Sequence, residues 1–167
     1  MIEDVIGNYL ETLEEREFDA PFIALLRAMN FRQIHFLHGT FEFGKDFIAQ
    51  GDPDGSTAQF AFQTKAGNID LGDWNKIRGQ IDLMRTDVLA HPSFDAALPR
   101  RAVLVITGRL IGGAPLAAQQ YSIHLQTLGE LDFSIWDREK LISLMSSIPE
   151  IGLAGKYEGE LLKLIGM

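Results

Sequence analysis

Cysteine is absent from this 167-residue sequence. That excludes a disulfide framework, a thiolate metal site and a thiol nucleophile. Long apolar runs are missing as well: stretches such as Ile111 to Ala118 are short and broken by glycine, so nothing reads as a bilayer span. The opening residues, MIEDVIGNYLETLEERE, are acidic and lack the basic-then-apolar order of a secretory signal. The expected setting is therefore the cytoplasm, away from membranes. Positive charge is scarce, with 15 Lys and Arg against 23 Asp and Glu and a formal net charge of −8. Such a balance is a poor starting point for gripping nucleic acid.

What is present is a chain with 46% apolar residues, enough to bury a core and too apolar for disorder. Its length fits one domain. Residues 1–147 read as that domain. Residues 148–167 hold Pro149 and four glycines beside a short LLKLI run and read as a tail or the start of a linker. The charge is unevenly spread: residues 1–50 carry nine acids and four bases, 111–167 carry seven and four, but 51–110 carry seven of each. The neutral middle fits either a face that meets an anion or ordinary solvated charge.

Ile6, Leu10 and Leu13 indicate a first helical stretch. Phe18, Phe22, Leu25, Leu26 and Met29 recur at helical spacing, and Pro21, tolerated only in a first turn, sets that helix to begin near Asp19 or Ala20. Ile34 to Leu37 and Phe43 to Ala49 read as strands. Gly51-Asp52-Pro53-Asp54-Gly55-Ser56 is a turn, and Gln59 to Lys65 alternates with period two, which makes an antiparallel hairpin. Asp73 or Asn75 is expected to cap a helix over about 75–89, with Ile77, Ile81, Met84 and Val88 along one side. Ala102 to Thr107 is a buried strand, followed by a helix over 115–127, a strand at Phe133 to Trp136, and a helix over 138–147 capped by Asp137. This order predicts an α/β fold with a mixed central sheet flanked by helices.

The hairpin carries the chemistry. Asp46 interrupts an apolar strand, where an uncompensated carboxylate is costly. Gln63 and Lys65 are two apart and share one strand face; Phe60, Phe62 and Thr64 take the other. Folding the turn sets Asp46 opposite Gln63 with Lys65 nearby, and Glu42 can reach the same end of the sheet. Oxygen donors of this kind suit a hard divalent cation such as Mg²⁺, which polarises a phosphoryl oxygen and acidifies bound water. A neighbouring lysine orients that water or stabilises developing charge. The bland alternative is a strand with polar residues at its edge.

EFGKDFIAQ, a turn, then FAFQTK resembles the catalytic core of the PD-(D/E)xK nuclease superfamily, and more specifically its Mrr-like restriction endonuclease branch. The resemblance implies a restriction-endonuclease-like core in which Asp46 is the main metal-binding acid, Gln63 the variant ligand and Lys65 the catalytic lysine. Glu42 falls on a frequently acidic position. REFDAPFIALLRAMNF resembles the first family helix, with Asp19 in place of a glutamate that assists the metal and Asn30 in place of a terminal glycine. AVLVITG and IWDREKLISLM are similar to the later strand and closing helix, so the likeness covers roughly residues 17–147. It implies a Mg²⁺-dependent endonuclease, with Mn²⁺ as a substitute, acting on double-stranded DNA in defence against foreign DNA. Similar domains form the N-terminal effector of larger antiphage proteins, so a homo-oligomer or further domains are the expected partners; the residues from 148 onward would suit a cut through a linker.

Lys45, Lys76, Arg78 and Arg85 are candidate DNA contacts, the last two sharing a helix face; a solvated face is the alternative. Gln80 lies on the same helix, close to the expected cleft. His35 and His38 fit structural or solvent-facing roles, or a place near DNA. Ile111-Gly112-Gly113-Ala114-Pro115 fits a simple strand-to-helix turn or a phosphate contact. Two other functions stay open: a catalytically inactive nuclease-like domain that binds DNA or protein, and an oligomerisation or interaction module.

Overall fold

The computed structural model describes residues 1–14, 17–37, 45–87 and 91–148. Glu42, His38 and the tail from 149 onward lie outside the described residues, as do the side chains of Lys45 and Asp46.

Apolar spacing and caps explain where the helices form. They are α1 (Ile2–Thr12), α2 (Asp19–Ala28), α3 (Leu71–Thr86), α4 (Ala114–Thr127) and α5 (Arg138–Ser146). Pro21 sits in the first turn of α2, where its missing N–H costs nothing. That helix ends where Asn30 takes a left-handed φ of 66°, a conformation asparagine tolerates better than most residues. Asp137 caps α5 by accepting a hydrogen bond from the Lys140 N–H, as its sequence position implies. The start of α3 differs from expectation. Asp70, not Asp73 or Asn75, is the cap: it accepts from the Asp73 N–H, and the Asp73 carboxylate accepts from the Asp70 N–H. This reciprocal pair adds a turn of helix ahead of the apolar stripe. Among the described residues, no helix is long and apolar enough to cross a membrane.

The strands are β1 (Arg32–Leu37), β2 (Lys45–Gly51), β3 (Ala58–Lys65), β4 (Arg100–Ile106) and β5 (Phe133–Trp136), and they lie in that order in one sheet. β1, β2 and β3 pair antiparallel; β3, β4 and β5 are parallel. The sheet is mixed, with helices on both faces. Phe47, Phe60, Phe62, Val103, Val105 and Trp136 pack on one face with Phe22 of α2, Leu10 of α1 and Leu141 of α5. Leu104 and Ile106 pack on the other with Trp74, Ile77 and Ile81 of α3 and Ala118 of α4. The carboxyl ends of β3, β4 and β5 therefore emerge together, at the end where β2 begins. In open α/β sheets this is the edge where ligands bind.

Candidate active site

β3 supplies the anchor of the site. Gln63 is buried, at 1% exposure, and its amide nitrogen donates to Oε1 of Gln80 on α3. Lys65 lies two residues further, at the mouth of the sheet, with its Nζ 3.9 Å from Oδ1 of Asp73. The hairpin register sets Asp46 directly across from Gln63, with Leu37 on its other side. Asp46, Gln63 and Lys65 thus converge at one end of the β2–β3 pair, as the turn at 51–56 requires.

The backbone around Lys65 is pinned from β4. The Thr107 N–H donates to the Lys65 carbonyl, and Thr107 Oγ1 accepts from the Gly67 N–H at 2.8 Å. Gly108 has to be glycine: a Cβ there would lie 2.5 Å from the Gly67 backbone. The tight pairing of these two loops fixes the strand end that carries the lysine.

Asp19 opens α2, on the other layer of the molecule. Phe22 reaches Phe47 and Phe62 with ring centroids 5.5 and 5.2 Å apart, whereas Phe31, beyond the helix, packs on Phe60 at 4.8 Å. The helix therefore runs away from the Asp46–Lys65 end of the sheet, and Asp19, half-buried, starts at that end.

Asp73 was readable only as a possible cap. One of its oxygens does serve the capping pair with Asp70, while the other faces Lys65. The doublet Asp70-x-x-Asp73 was the signal, because it moves the helix start and with it the carboxylate. The Asp73 N–H in turn holds the Asp70 carboxyl below its ordinary pKa.

The basic candidates divide. Lys76 and Arg78 are exposed on α3. Arg78 and Arg85 do line the same groove between α3 and α4, but Arg85 is turned inward. Its side chain is 7% exposed and pairs with Asp82, Glu130 and Asp132, the last at 2.7 Å. Burial disfavours its charge, but the hydrogen bonds to Asp132 and Glu130 outweigh this and hold its pKa above the ordinary value. Arg85 ties α3 to the loop before β5. His35 stacks on His91, centroids 4.4 Å apart, while Trp136 is in the core.

Among the described residues, no group of three or more histidines and carboxylates is assembled to hold a metal. The donor chemistry nonetheless fits a hard cation. A carboxylate residue stands in register opposite a buried amide whose nitrogen donates to Gln80, and both residue types supply oxygen.

No protein-family model and no curated protein matches the chain. Among solved structures, it is similar to the DNA modification-dependent restriction endonuclease AspBHI, with a TM-score of 0.50 and 10% identity over 98% of this chain. The MspJI restriction endonuclease in complex with a 27-mer oligonucleotide also aligns, with a TM-score of 0.44 and 10% identity over 90% of this chain. The chain spans 40% of the first of these and 31% of the second. With the mixed five-stranded sheet and its two helical layers, the likeness to AspBHI establishes that this chain has a restriction-endonuclease-like fold.

Proposed function

We propose that the chain is the nuclease module of a metal-dependent endodeoxyribonuclease that hydrolyses phosphodiester bonds of double-stranded DNA, in defence of the cytoplasm against foreign DNA. The observation that carries this reading is the register placing Asp46 opposite buried Gln63, with Lys65 two residues on at the open end of a restriction-endonuclease-like sheet. Asp46 and Gln63 would hold Mg²⁺ or Mn²⁺, aided by Glu42 and Asp19. When bound, such an ion polarises a phosphoryl oxygen and lowers the pKa of bound water.

The chain's own residues do the positioning. Gln80 fixes the amide of Gln63 by accepting from its nitrogen. Asp73 holds the ammonium of Lys65 at the mouth of the sheet. From there Lys65 orients the attacking water and stabilises charge on the phosphoryl group as it develops. Lys76 and Arg78, exposed on α3, and Lys45 at the start of β2 contact the DNA backbone. Because the chain carries net −8, such contacts hold DNA weakly. The module then works with a second copy, or with other domains of a larger protein.

The test is incubation of supercoiled and linear DNA with Mg²⁺ or Mn²⁺. Cleavage is expected, and Asp46→Ala and Lys65→Ala should each lower it by at least about 100-fold with unchanged circular dichroism. Full cleavage in either variant rejects the site. The net charge also favours a second reading, a nuclease-like domain that binds without cutting. Retention of DNA at low salt with no cleavage would select it.

A further inference from the structure

The cavities among the described residues differ in charge. The groove between α3 and α4 sets Arg78 and Arg85 against Asp82 and Glu130. The hollow beside β5 sets Arg101 against Asp52 and Asp132. Another, of about 280 Å³, lies at the carboxyl end of β4, and its wall carries Arg109 and Arg138 against Glu11. In a chain of net −8, this local excess of cations favours an anion.

The loops that build the cavity are held to one another through their backbones. The Gly108 N–H donates to the Gly67 carbonyl, the Arg109 N–H to Asn68 Oδ1, and the Gly67 N–H to Thr107 Oγ1. Gly67 takes a left-handed φ of 85°, and a Cβ on Gly108 would run into Asn68 as well as Gly67. These bonds use acceptors. What remains of Asn68 and Thr107, an amide nitrogen and a hydroxyl hydrogen, only donates, as do the two guanidinium groups. Arg138 gives Nη1 to Glu11, and its buried Nε has no hydrogen-bond partner among the described residues. Such a donor gains from an acceptor that enters. Arg109 pairs outward with Glu139, which is not part of the cavity wall. Both ends of that pair are exposed, at 59% and 55%, so water screens it and little energy holds it closed.

We propose that this cavity is a phosphate-binding site, in which Arg109 closes on the anion and Asn68, Thr107 and Arg138 form the wall. A phosphate group brings more acceptor oxygens than a carboxylate to a wall made of donors, and the arginine fork takes two of them in parallel. The cavity lies where β4 ends, and the Thr107 N–H donates to the Lys65 carbonyl. On the nuclease reading, the group is therefore a backbone phosphate of DNA lying along that edge. Free phosphate or a nucleotide is the other source of the same chemistry.

Inorganic phosphate, added at constant ionic strength to the isotope-labelled 167-residue chain, is the first test. Saturable amide shifts at Gly67, Asn68, Gly108 and Arg109 are expected, with a Kd of roughly 1–10 mM. Arg109→Gln should weaken binding about tenfold or more without moving the thermal melt, because the side chain is exposed. Glu139→Gln releases Arg109 and should tighten binding about two- to fivefold. Glu3→Gln, the same change of charge on α1, should not. Shifts absent up to about 50 mM phosphate, or indifferent to Arg109→Gln, overturn the proposal. Equal gains from Glu139→Gln and Glu3→Gln do the same. Duplex DNA then separates the sources. A salt slope of binding reduced by about one phosphate contact in Arg109→Gln assigns the group to DNA. An unchanged slope, with phosphate binding still dependent on Arg109, assigns it to free phosphate or a nucleotide. Absence of cleavage counts against the nuclease reading alone, since the phosphate titration does not involve it.

Discussion

Along β3, Phe60 and Phe62 join the aromatic core under α2, whereas Gln59, Gln63 and Lys65 share the side of the sheet covered by α3. The first side is apolar contact almost throughout. Phe62 sits between Phe22, edge-on with centroids 5.2 Å apart, and Trp136, tilted at 5.4 Å, and an edge-on pair adds ~0.5–1.5 kcal/mol beyond simple burial. The second side buries amides and has to satisfy them. Gln59, at 0% exposure, donates to the carbonyls of Ala49 and Phe60 and accepts from the Asp95 N–H. Four residues on, Gln63 donates to another side chain, Gln80. The two glutamines look alike in sequence, yet Gln59 fastens a loop to the sheet at the hairpin end. Gln63 stands at the end where Asp46 and Lys65 meet. One face of the strand is held by apolar contact, and the other by hydrogen bonds from its buried amides.

Phe62→Ala tests the apolar side most severely. It should cost ~3–5 kcal/mol, read as a lower denaturant midpoint, while Lys65→Ala should leave the midpoint nearly unchanged. Equal losses would erase the distinction between the two faces. The next effect lies on the polar side. Arg85→Ala should destabilise by ~1–3 kcal/mol because Asp132 and Glu130 lose their partner. On the nuclease reading it should leave the salt dependence of DNA binding unaltered. Arg78→Ala should do the reverse, leaving stability alone and reducing the salt slope by about one phosphate contact. Binding that responds to Arg85 and not to Arg78 would contradict the inward role of Arg85.

The smallest effect is a pH dependence in the same cluster. Burial, then a hydrogen bond to Asp82, pushes the Tyr121 hydroxyl up to about 12 from 10.0. The folded state thus keeps the proton longer than the unfolded state. The associated stability is complete below pH 10 and is lost as pH rises towards 12. Tyr121→Phe should flatten the stability profile in that window. An unchanged profile would place the dependence on another group.

Much of the fold was legible because strands and helices announce themselves through periodicity. The turn at 51–56, the alternation of β3, the Asp137 cap and the left-handed Asn30 follow from local preferences of a few residues. The register of Asp46 on Gln63 followed from them, since a turn of known length leaves little freedom in pairing. The start of α3 was missed because the Asp70–Asp73 capping pair begins the helix ahead of its buried residues: Leu71 is exposed, and Trp74 is the first side chain to enter the core. The partners of Arg85 were not legible because spacing of seven assigns a helix face but not what stands opposite.

The sequence by itself determined the α/β order, the absence of thiol chemistry and the pairing of the hairpin that sets Asp46 opposite Gln63. Each depends on residues close together in the chain, where backbone geometry alone relates them. Only the tertiary structure decided that Gln80 holds Gln63, that Asp73 faces Lys65, and that Arg85 is taken up by Glu130 and Asp132. It also gathered the ends of β3, β4 and β5 on one edge. Those relations join segments separated by loops and packed across layers, and the free energy that sets them is the shared burial of distant side chains.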